Sequence, residues 1–172
     1  MDPHLETAPS AWVERWASWI RPGGAVLDVA AGAGRHARFL ARLGFEVDAV
    51  DRDAALFGEA VPGVILREAD IEAGPWPYAG RAFDAVVVTN YLHRPLMPVL
   101  VESIAAGGLL VYETFARGNE RFGKPSNPAY LLEPGELIEA VRGRLRVIAY
   151  EDLVVDRPRP AALQRIAARL EC

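Results

Sequence analysis

Carboxylate side chains end several apolar runs of this sequence, and the first of them is followed by glycines. The run 25–29 contains Asp28 and passes into a turn with Gly32 and Gly34, after which the spacing becomes helical. So short an apolar run, closed by glycines, is typical of a buried parallel strand. Glycines let a ligand approach closely, and the free N–H groups at a helix start face such a ligand. The stretch therefore predicts a nucleotide-type site. The alternative is an ordinary strand–turn–helix corner in which Asp28 is a satisfied turn residue.

The glycines alone do not identify the ligand. Residues 32–37 satisfy the loose G-x-G-x-x-G/A pattern of dinucleotide-binding proteins, which is a weak signal by itself. Asp28 argues against that ligand, because a carboxylate at this place repels a pyrophosphate and attracts an ammonium or sulfonium group.

Polar residues also follow the later apolar runs. Asp51 ends the second run and lies about twenty residues after Gly32, the separation at which an acidic residue binds a ribose diol. Asp70, Asn90 and Glu113 follow the third, fourth and fifth runs. Ligands of parallel sheets bind beyond the carboxyl ends of the strands, so we expect these side chains at one edge of a sheet.

Length and composition limit the class of protein. The 172 residues, 51% hydrophobic and 24% charged, predict a single domain over 1–172 with a proper core. A net charge of −4 argues against a nucleic-acid partner. The one cysteine, Cys172, excludes a disulfide framework and a cysteine metal site, and we predict no metal. The sequence has no membrane-spanning run and no signal-peptide pattern, so we expect a cytoplasmic protein without a membrane partner.

The elements expected around these residues begin with an N-terminal helix within 1–22. It runs from about Pro9 to Ile20, with Ser10 as its cap and Trp19 in its buried stripe. Strands then alternate with helices or crossovers, which predicts a parallel sheet with right-handed connections. The last segment, 161–170, has apolar residues at helical spacing.

An irregular stretch over 114–132 is long enough to suggest a substrate loop. Arg117 and Arg121 place positive charge on it, and Tyr130 supplies an apolar wall. We therefore expect these residues, with Glu113, to contact a small anionic or polarisable acceptor. The alternative is a solvated loop whose charges face water.

Several segments together resemble the class I S-adenosylmethionine-dependent methyltransferases, and the likeness covers nearly the whole chain. It is closest to small bacterial members related to the tellurite-resistance type. The segments that carry it are Asp28-Val29-Ala30-Ala31-Gly32-Ala33-Gly34, Asp51, Ala69-Asp70-Ile71, Gly34-Arg35-His36-Ala37 and Asn90-Tyr91-Leu92-His93-Arg94-Pro95-Leu96.

This resemblance implies an α/β fold: a Rossmann-like, doubly wound, mostly parallel seven-stranded sheet with helices on both faces and an antiparallel C-terminal strand. Residues 161–170 would then form a strand, against their helical spacing. The resemblance implies that S-adenosylmethionine is the cofactor. In the family the glycine turn faces the methionine moiety, the acid of the second strand holds the ribose, and the Asp70-Ile71 positions meet the adenine. The residues expected to bind the cofactor are Asp28, Ala30, Gly32, Gly34, Asp51, Arg52, Asp70, Ile71 and Asn90.

Two positions depart from the family pattern. Ala30 stands where the family has the first glycine of the turn, a mild change if the backbone there keeps a negative φ. The segment Glu72–Arg81 is rich in Gly and Pro and predicts a loop where many members have a helix.

The resemblance implies methyl transfer to a small-molecule acceptor, with His93 and Tyr91 as candidates for a catalytic base if the acceptor is protonated. His93 has the alternative of a structural or capping role. Two other functions stay open from sequence: an NAD-dependent oxidoreductase, and a non-catalytic nucleotide-sensing or partner-binding module.

Overall fold

A single sheet of seven strands organises the computed structural model, which describes residues 7–172. The strands are β1 (Ala25–Val29), β2 (Glu46–Asp51), β3 (Val64–Glu68), β4 (Phe83–Thr89), β5 (Ile104–Phe115), β6 (Arg146–Val155) and β7 (Ala161–Arg169). Their order is β3-β2-β1-β4-β5-β7-β6. The strands from β3 to β5 pair in parallel, and β7 is antiparallel to both of its neighbours. The sequence prediction of the sheet is confirmed.

Helices cover both faces of this sheet, as expected for a doubly wound fold. They are α1 (Ala11–Ala17), α2 (Arg35–Arg42), α3 (Met97–Glu102) and α4 (Glu136–Val141). On one face, α1 and α2 pack Trp12 and Leu40 into a cluster with Val26 and Val87. On the other face, α3 and α4 pack against residues of the same strands that point the opposite way. Alternation along β1 and β4 thus supplies two apolar cores from one set of strands.

The N-terminal helix is shorter than the sequence predicts. The Ser10 side chain caps it by accepting a hydrogen bond from the Val13 N–H at 3.2 Å, as expected. The helix ends at Ala17, so Trp19 lies beyond it and is 47% exposed, with the Arg169 guanidinium 5.4 Å from its ring. The prediction that Trp19 belongs to the buried stripe is therefore wrong.

The last segment is a strand despite its helical spacing, as the resemblance implied. β7 lies between β5 and β6 and pairs with both along its length. Leu163 and Ile166 belong to different hydrophobic clusters. They are three positions apart, and side chains alternate between the two faces along a strand, so they point to opposite faces of the sheet.

One connection differs from the sequence pattern. The spacing of Leu96, Leu100 and Ile104 predicts the buried face of one helix, but Ile104 begins β5 and pairs with Phe83. The Gly107-Gly108 pair forms an irregularity inside that strand, where a Cβ on Gly108 would lie 2.8 Å from the Ala105 carbonyl oxygen. The stretch Glu72–Arg81 contains turns and no helix, as predicted, and packs Tyr78 against the sheet.

Candidate functional site

The carboxyl ends of β1 to β4 meet at one edge of the sheet, and backbone hydrogen bonds join the segments that leave them. The Ala31 N–H donates to the Val50 carbonyl, linking the turn after β1 to β2. The Ala69 N–H donates to the Asp51 carbonyl, linking the residues after β3 to β2. The edge therefore brings together the polar positions predicted at the ends of the first three strands.

The two glycines of the turn after β1 have different surroundings. Both have positive φ, +55° at Gly32 and +76° at Gly34. A Cβ on Gly32 would meet no atom within 4 Å, whereas a Cβ on Gly34 would lie 2.2 Å from a Phe57 ring carbon. Gly32 thus leaves space that a ligand could enter. At Gly34 the missing side chain makes room for the Phe57 ring, and a cofactor-binding role for its backbone stays a prediction.

Ala30 also adopts a left-handed backbone conformation, with φ of 54°. The condition under which alanine is a mild change at this position, a negative φ, is therefore not met. Alanine has a Cβ that disfavours the left-handed conformation, at a cost of roughly 1–2 kcal/mol. The turn after β1 therefore begins with a strained alanine.

Asp28 is buried behind this turn, with 1% of its surface exposed. Its Oδ2 accepts a hydrogen bond from the Ala37 N–H at 3.0 Å, in the first turn of α2. Burial raises the pKa of Asp28 to about 7, although the Ala37 hydrogen bond and the charge of Arg35 act in the opposite direction. A cation placed nearby would favour the ionised carboxylate, which agrees with the chemistry expected from the sequence.

Asp51 connects the end of β2 to the glycine turn. Its Oδ2 accepts the Gly32 N–H at 2.9 Å, and its Oδ1 accepts the Asp53 N–H at 3.0 Å. These two bonds fix the carboxylate beside the open space at Gly32. Arg52, the next residue, is near the residues after β3 and β4: its charge adds to the lowering of the pKa of Asp70 by backbone N–H groups, and it opposes the rise in the pKa of Tyr91 that burial and Glu72 cause.

The predicted residues after β3 and β4 lie at the same edge. Asp70 is on the surface, and its Oδ1 accepts the N–H groups of Glu72 and Ala73, which hold its pKa below the usual range. Ile71 is buried to 8% exposure against the sheet. Asn90 has φ of 53°, and its N–H donates to the Glu113 carbonyl.

A cavity of about 330 Å³ opens beside Asn90, between the residues that follow β4 and β5. Its lining is largely apolar or aromatic, with three polar side chains. The lining residues are Glu72, Asn90, Tyr91, Leu92, Thr114, Phe115, Pro125 and Tyr130.

The two candidate bases converge on a carboxylate that sequence reasoning missed. The Tyr91 hydroxyl donates to Glu72 Oε1 at 2.9 Å, and His93 Nδ1 lies 3.8 Å from Glu72 Oε2. Burial and then the Glu72 hydrogen bond raise the pKa of Tyr91. Tyr91 is therefore a hydrogen-bond donor at neutral pH, and His93 contacts the carboxylate of Glu72 without being among the described residues that line the cavity.

Glu113 is engaged in the sheet. Its Oε2 accepts a hydrogen bond from Arg165 of β7 at 3.0 Å, and Arg165 also donates to Glu151 of β6 at 2.6 Å. The three side chains form a ladder across β5, β7 and β6, with the Arg165 guanidinium 5.0 Å from the Trp12 ring. Glu113 is not among the residues that line the cavity.

The stretch 114–132 supplies walls of the cavity, but not through its arginines. Tyr130 lines the cavity, as predicted for it. Arg117 instead pairs with Glu133 at 2.8 Å, and Arg121 donates to the Gly118 carbonyl and lies over the Phe122 ring. Arg94 fixes the stretch by donating to the Ala129 and Leu131 carbonyls.

His36 is the other residue near the turn that the sequence did not identify. It is 3% exposed, its Nε2 accepts the Ser10 N–H at 3.0 Å, and its Nδ1 lies 3.2 Å from Thr89 Oγ1. Burial lowers its pKa to about 3, so the ring is neutral and Nδ1 carries the proton. His36 therefore connects the start of α2 to the start of α1 and to the end of β4. The signal that the sequence offered for His36 was its place in the segment Gly34-Arg35-His36-Ala37, which carries part of the family resemblance.

Within residues 7–172, no group of three or more His, Cys, Asp and Glu side chains is arranged to hold a metal ion. No helix in the same part of the chain is long and apolar enough to cross a membrane.

Comparison with known proteins gives one family match. Residues 26–106 match the family described as "Methyltransferase domain". The chain is 37% identical over 121 residues to a protein-L-isoaspartate O-methyltransferase of Methylorubrum extorquens, which covers 60% of this chain and 52% of that protein. A protein of the same name from Chlorobaculum tepidum is 33% identical over 98 residues, 52% of this chain and 44% of that protein. The chain thus spans about half the length of the curated relatives it matches.

Solved structures give a broader match to the fold. TehB from Haemophilus influenzae superposes with a TM-score of 0.77 at 19% identity, over 96% of this chain and 64% of that one. A TehB-like S-adenosylmethionine-dependent methyltransferase from Corynebacterium glutamicum gives 0.68 at 17% identity, over 93% and 87%. The glycopeptide N-methyltransferase MtfA, complexed with S-adenosylmethionine, gives 0.65 at 18% identity, over 99% of both chains. The fold resemblance predicted from the sequence is confirmed.

Proposed function

We propose that this chain, which has the class I S-adenosylmethionine-dependent methyltransferase fold and resembles TehB in particular, binds S-adenosylmethionine and transfers its methyl group to a small-molecule acceptor. The observation that carries the proposal is the edge formed by β1 and β2. There the Asp51 carboxylate and the open space at Gly32 lie together, in front of the buried Asp28.

The residues at this edge fit the cofactor. A Cβ on Gly32 would enter space that the protein leaves empty, which suits a ligand lying against the turn. Asp51 would bind the ribose hydroxyls, and Asp28 with the turn would face the charged methionine part. Asp70, Ile71 and Arg52 would border the adenine, and Asn90 would lie between the cofactor and the acceptor cavity. When bound, S-adenosylmethionine supplies a methyl group on a positively charged sulfur, open to attack by an acceptor lone pair.

The chain's own contribution to such a reaction is mainly positioning and exclusion of water. The aromatic and apolar walls of the cavity, including Tyr91, Phe115 and Tyr130, would hold the acceptor beside Asn90. Tyr112 holds the backbone of Tyr91 in place, since its hydroxyl donates to the Tyr91 carbonyl at 2.7 Å. A cavity of about 330 Å³ suits a small molecule. We therefore favour a small acceptor for this chain, although its curated relatives are named for a protein acceptor.

Calorimetric titration with S-adenosylhomocysteine and, separately, with NAD tests the proposal. We expect S-adenosylhomocysteine to bind with a dissociation constant between ~1 µM and ~1 mM, the range usual for enzyme ligands, and NAD not to bind. Binding of NAD in preference would favour the oxidoreductase, which the buried Asp28 disfavours. Transfer of a labelled methyl group to any acceptor separates an enzyme from a sensing module. A cytoplasmic location stays a prediction from the sequence.

A further inference from the structure

The acceptor cavity has one ionic group in its wall, and that group is a carboxylate. Among the residues that the structure describes, those lining the cavity include Glu72 and no Lys, Arg or His. The nearby arginines of the stretch 114–132 are engaged elsewhere, Arg117 with Glu133 and Arg121 with the Gly118 carbonyl. An anionic acceptor would therefore meet a negative charge and no compensating cation in this wall.

Glu72 is held in a defined position. The side chain of Asp70 accepts the Glu72 N–H at 3.0 Å, which fixes the backbone, and the Tyr91 hydroxyl donates to Glu72 Oε1. Tyr91 is itself fixed through its carbonyl by the buried Tyr112 hydroxyl. The carboxylate keeps 46% of its side-chain surface exposed, so one side remains open to a ligand.

The charges around the Tyr91 hydroxyl indicate the sign of the field in the cavity. Burial is the largest cause of the raised pKa of Tyr91; Glu72 and Asp70 raise it further, and the charge of Arg52 lowers it by less. The carboxylates thus outweigh the arginine at the cavity wall. His93 reaches the same carboxylate from outside the lining residues, 3.8 Å from Oε2.

We propose that the cavity binds an acceptor that carries an amino group, and that the Glu72 carboxylate recognises this group. The inference rests on the proposed function, in that the ligand of the cavity is the methyl acceptor. A protonated amine is attracted by the carboxylate and donates a charge-assisted hydrogen bond to it. The Tyr91 oxygen can accept a second hydrogen bond, while Phe115 and Tyr130 contact the apolar body of the amine. A neutral alcohol of the same shape keeps the apolar contacts and loses the charge attraction.

Benzylamine, which is protonated at neutral pH, and benzyl alcohol are the probes for a test. Each is titrated into the full chain, with and without saturating S-adenosylhomocysteine, and binding is followed by amide chemical shifts in NMR spectra. We expect wild type to bind benzylamine at least tenfold more tightly than benzyl alcohol, with shifts at Asn90, Tyr91 and Thr114. In Glu72→Gln we expect the two probes to bind within about twofold of each other.

Two further variants make the outcome specific. Glu46→Gln removes a carboxylate at the start of β2, at the opposite edge of the sheet, and we expect it to keep the tenfold preference. Tyr91→Phe keeps the carboxylate and loses its hydroxyl partner, and the preference is expected to stay within about threefold of wild type. Equal binding of the two probes to wild type overturns the inference, and so does a preference that survives in Glu72→Gln or is lost equally in Tyr91→Phe.

Binding of S-adenosylhomocysteine, measured on the same samples, separates this inference from the proposed function. A chain that binds S-adenosylhomocysteine and does not prefer the amine overturns the inference alone. A chain that prefers the amine and does not bind S-adenosylhomocysteine overturns the proposed function.

Discussion

Asp51 has two structural partners as well as its proposed ligand, and this makes it the most informative residue of the edge. We expect Asp51→Ala to weaken S-adenosylhomocysteine binding at least tenfold, because charge-assisted hydrogen bonds to a diol contribute on the order of 2–4 kcal/mol. Calorimetry measures the change. Asp53→Ala is the control: it removes the cap of the 3₁₀ helix Ala54–Phe57 and should leave the dissociation constant within about twofold. An unchanged constant in Asp51→Ala would remove this residue from the site.

Ala30 has an unfavourable backbone conformation that a single substitution can relieve. We expect Ala30→Gly to raise the free energy of unfolding, by under ~1 kcal/mol, because glycine adopts the positive φ freely and part of the gain is offset by its greater freedom in the unfolded chain. Ala33→Gly, in the same turn but without positive φ, should lower it by roughly 0.5–1 kcal/mol. Urea unfolding of both variants checks the difference, and a loss of stability in Ala30→Gly would contradict it.

At the scale of elements, the two glycines of the turn between β1 and α2 allow an effect on stability to be distinguished from an effect on ligand binding. We expect Gly34→Ala to lower stability by more than ~2 kcal/mol, since its Cβ overlaps the Phe57 ring in addition to the positive-φ cost. Gly32→Ala should cost only about 1–2 kcal/mol, because no protein atom lies near its Cβ. It should nevertheless weaken S-adenosylhomocysteine binding more than tenfold. Urea unfolding and calorimetry on both variants distinguish the two effects, and normal binding by Gly32→Ala would show that the open space is not ligand space.

The ladder of Glu113, Arg165 and Glu151 across β5, β7 and β6 pairs charged side chains that lie largely buried against the sheet. Arg165 and Glu113 have side chains that are 19% and 11% exposed. We expect Arg165→Ala to lower stability by more than ~2 kcal/mol, because it removes the partner of the largely buried Glu113 and leaves Glu151 only its longer contact with Arg15. Arg146→Ala, which breaks an exposed pair with Glu171, should cost under ~1 kcal/mol.

The same ladder supplies a test of the role predicted for Glu113. If Glu113 acts only within the sheet, Glu113→Gln should leave S-adenosylhomocysteine and benzylamine binding within about twofold of wild type. If either affinity falls in a variant whose NMR spectrum shows a folded chain, Glu113 contributes to ligand binding as well as to the sheet.

At the scale of the whole molecule, the sequence predicts the parallel part of the sheet well because each strand is a short apolar run closed by a polar residue. Asp28, Asp51 and Asp70 mark the carboxyl ends of three strands, and the structure places them at one edge. The local pattern misleads where a distant partner decides the conformation. The antiparallel pairing of β7 overrides its helical spacing, and Ile104 belongs to a strand because it pairs with Phe83.

The site was less predictable than the fold for the same reason. Phe57, which occupies the space beside Gly34, lies 23 positions after it in the chain, and nothing in either segment indicates the contact. Glu72 joins the cavity from the connection between β3 and β4, whereas the tyrosine it contacts follows β4. The arginines of the stretch 114–132 suggested an anion site, yet their nearest partners are a carboxylate and a carbonyl group. A sequence shows which side chains are charged, but it does not show which partners in the folded chain neutralise them.

The pH dependence of stability contains two opposing contributions from buried groups. Burial lowers the pKa of His36 to about 3, so its folded form excludes a proton and stability falls as the pH drops from about 6.5 to 3. Asp28 acts the other way. Its pKa is about 7 when folded and 3.8 in the reference state, so the folded chain retains a proton that the unfolded chain releases. Stability is therefore lost as the pH rises from about 4 to 7, and the wild-type profile is the sum of both.

Asp28→Asn isolates the second contribution, because the amide oxygen can still accept the Ala37 N–H and no charge is buried. At pH 4 we expect the variant and wild type to have similar free energies of unfolding. At pH 8 the variant should be more stable, by up to ~4 kcal/mol, since only wild type then buries an ionised carboxylate. Asp156→Asn, at an exposed position, should show no such trend. Urea unfolding between pH 4 and pH 8.5 measures the difference. A constant offset across that range would mean that Asp28 ionises with an ordinary pKa in the folded chain. It would then carry its full negative charge at neutral pH, and the pH dependence expected here would be wrong.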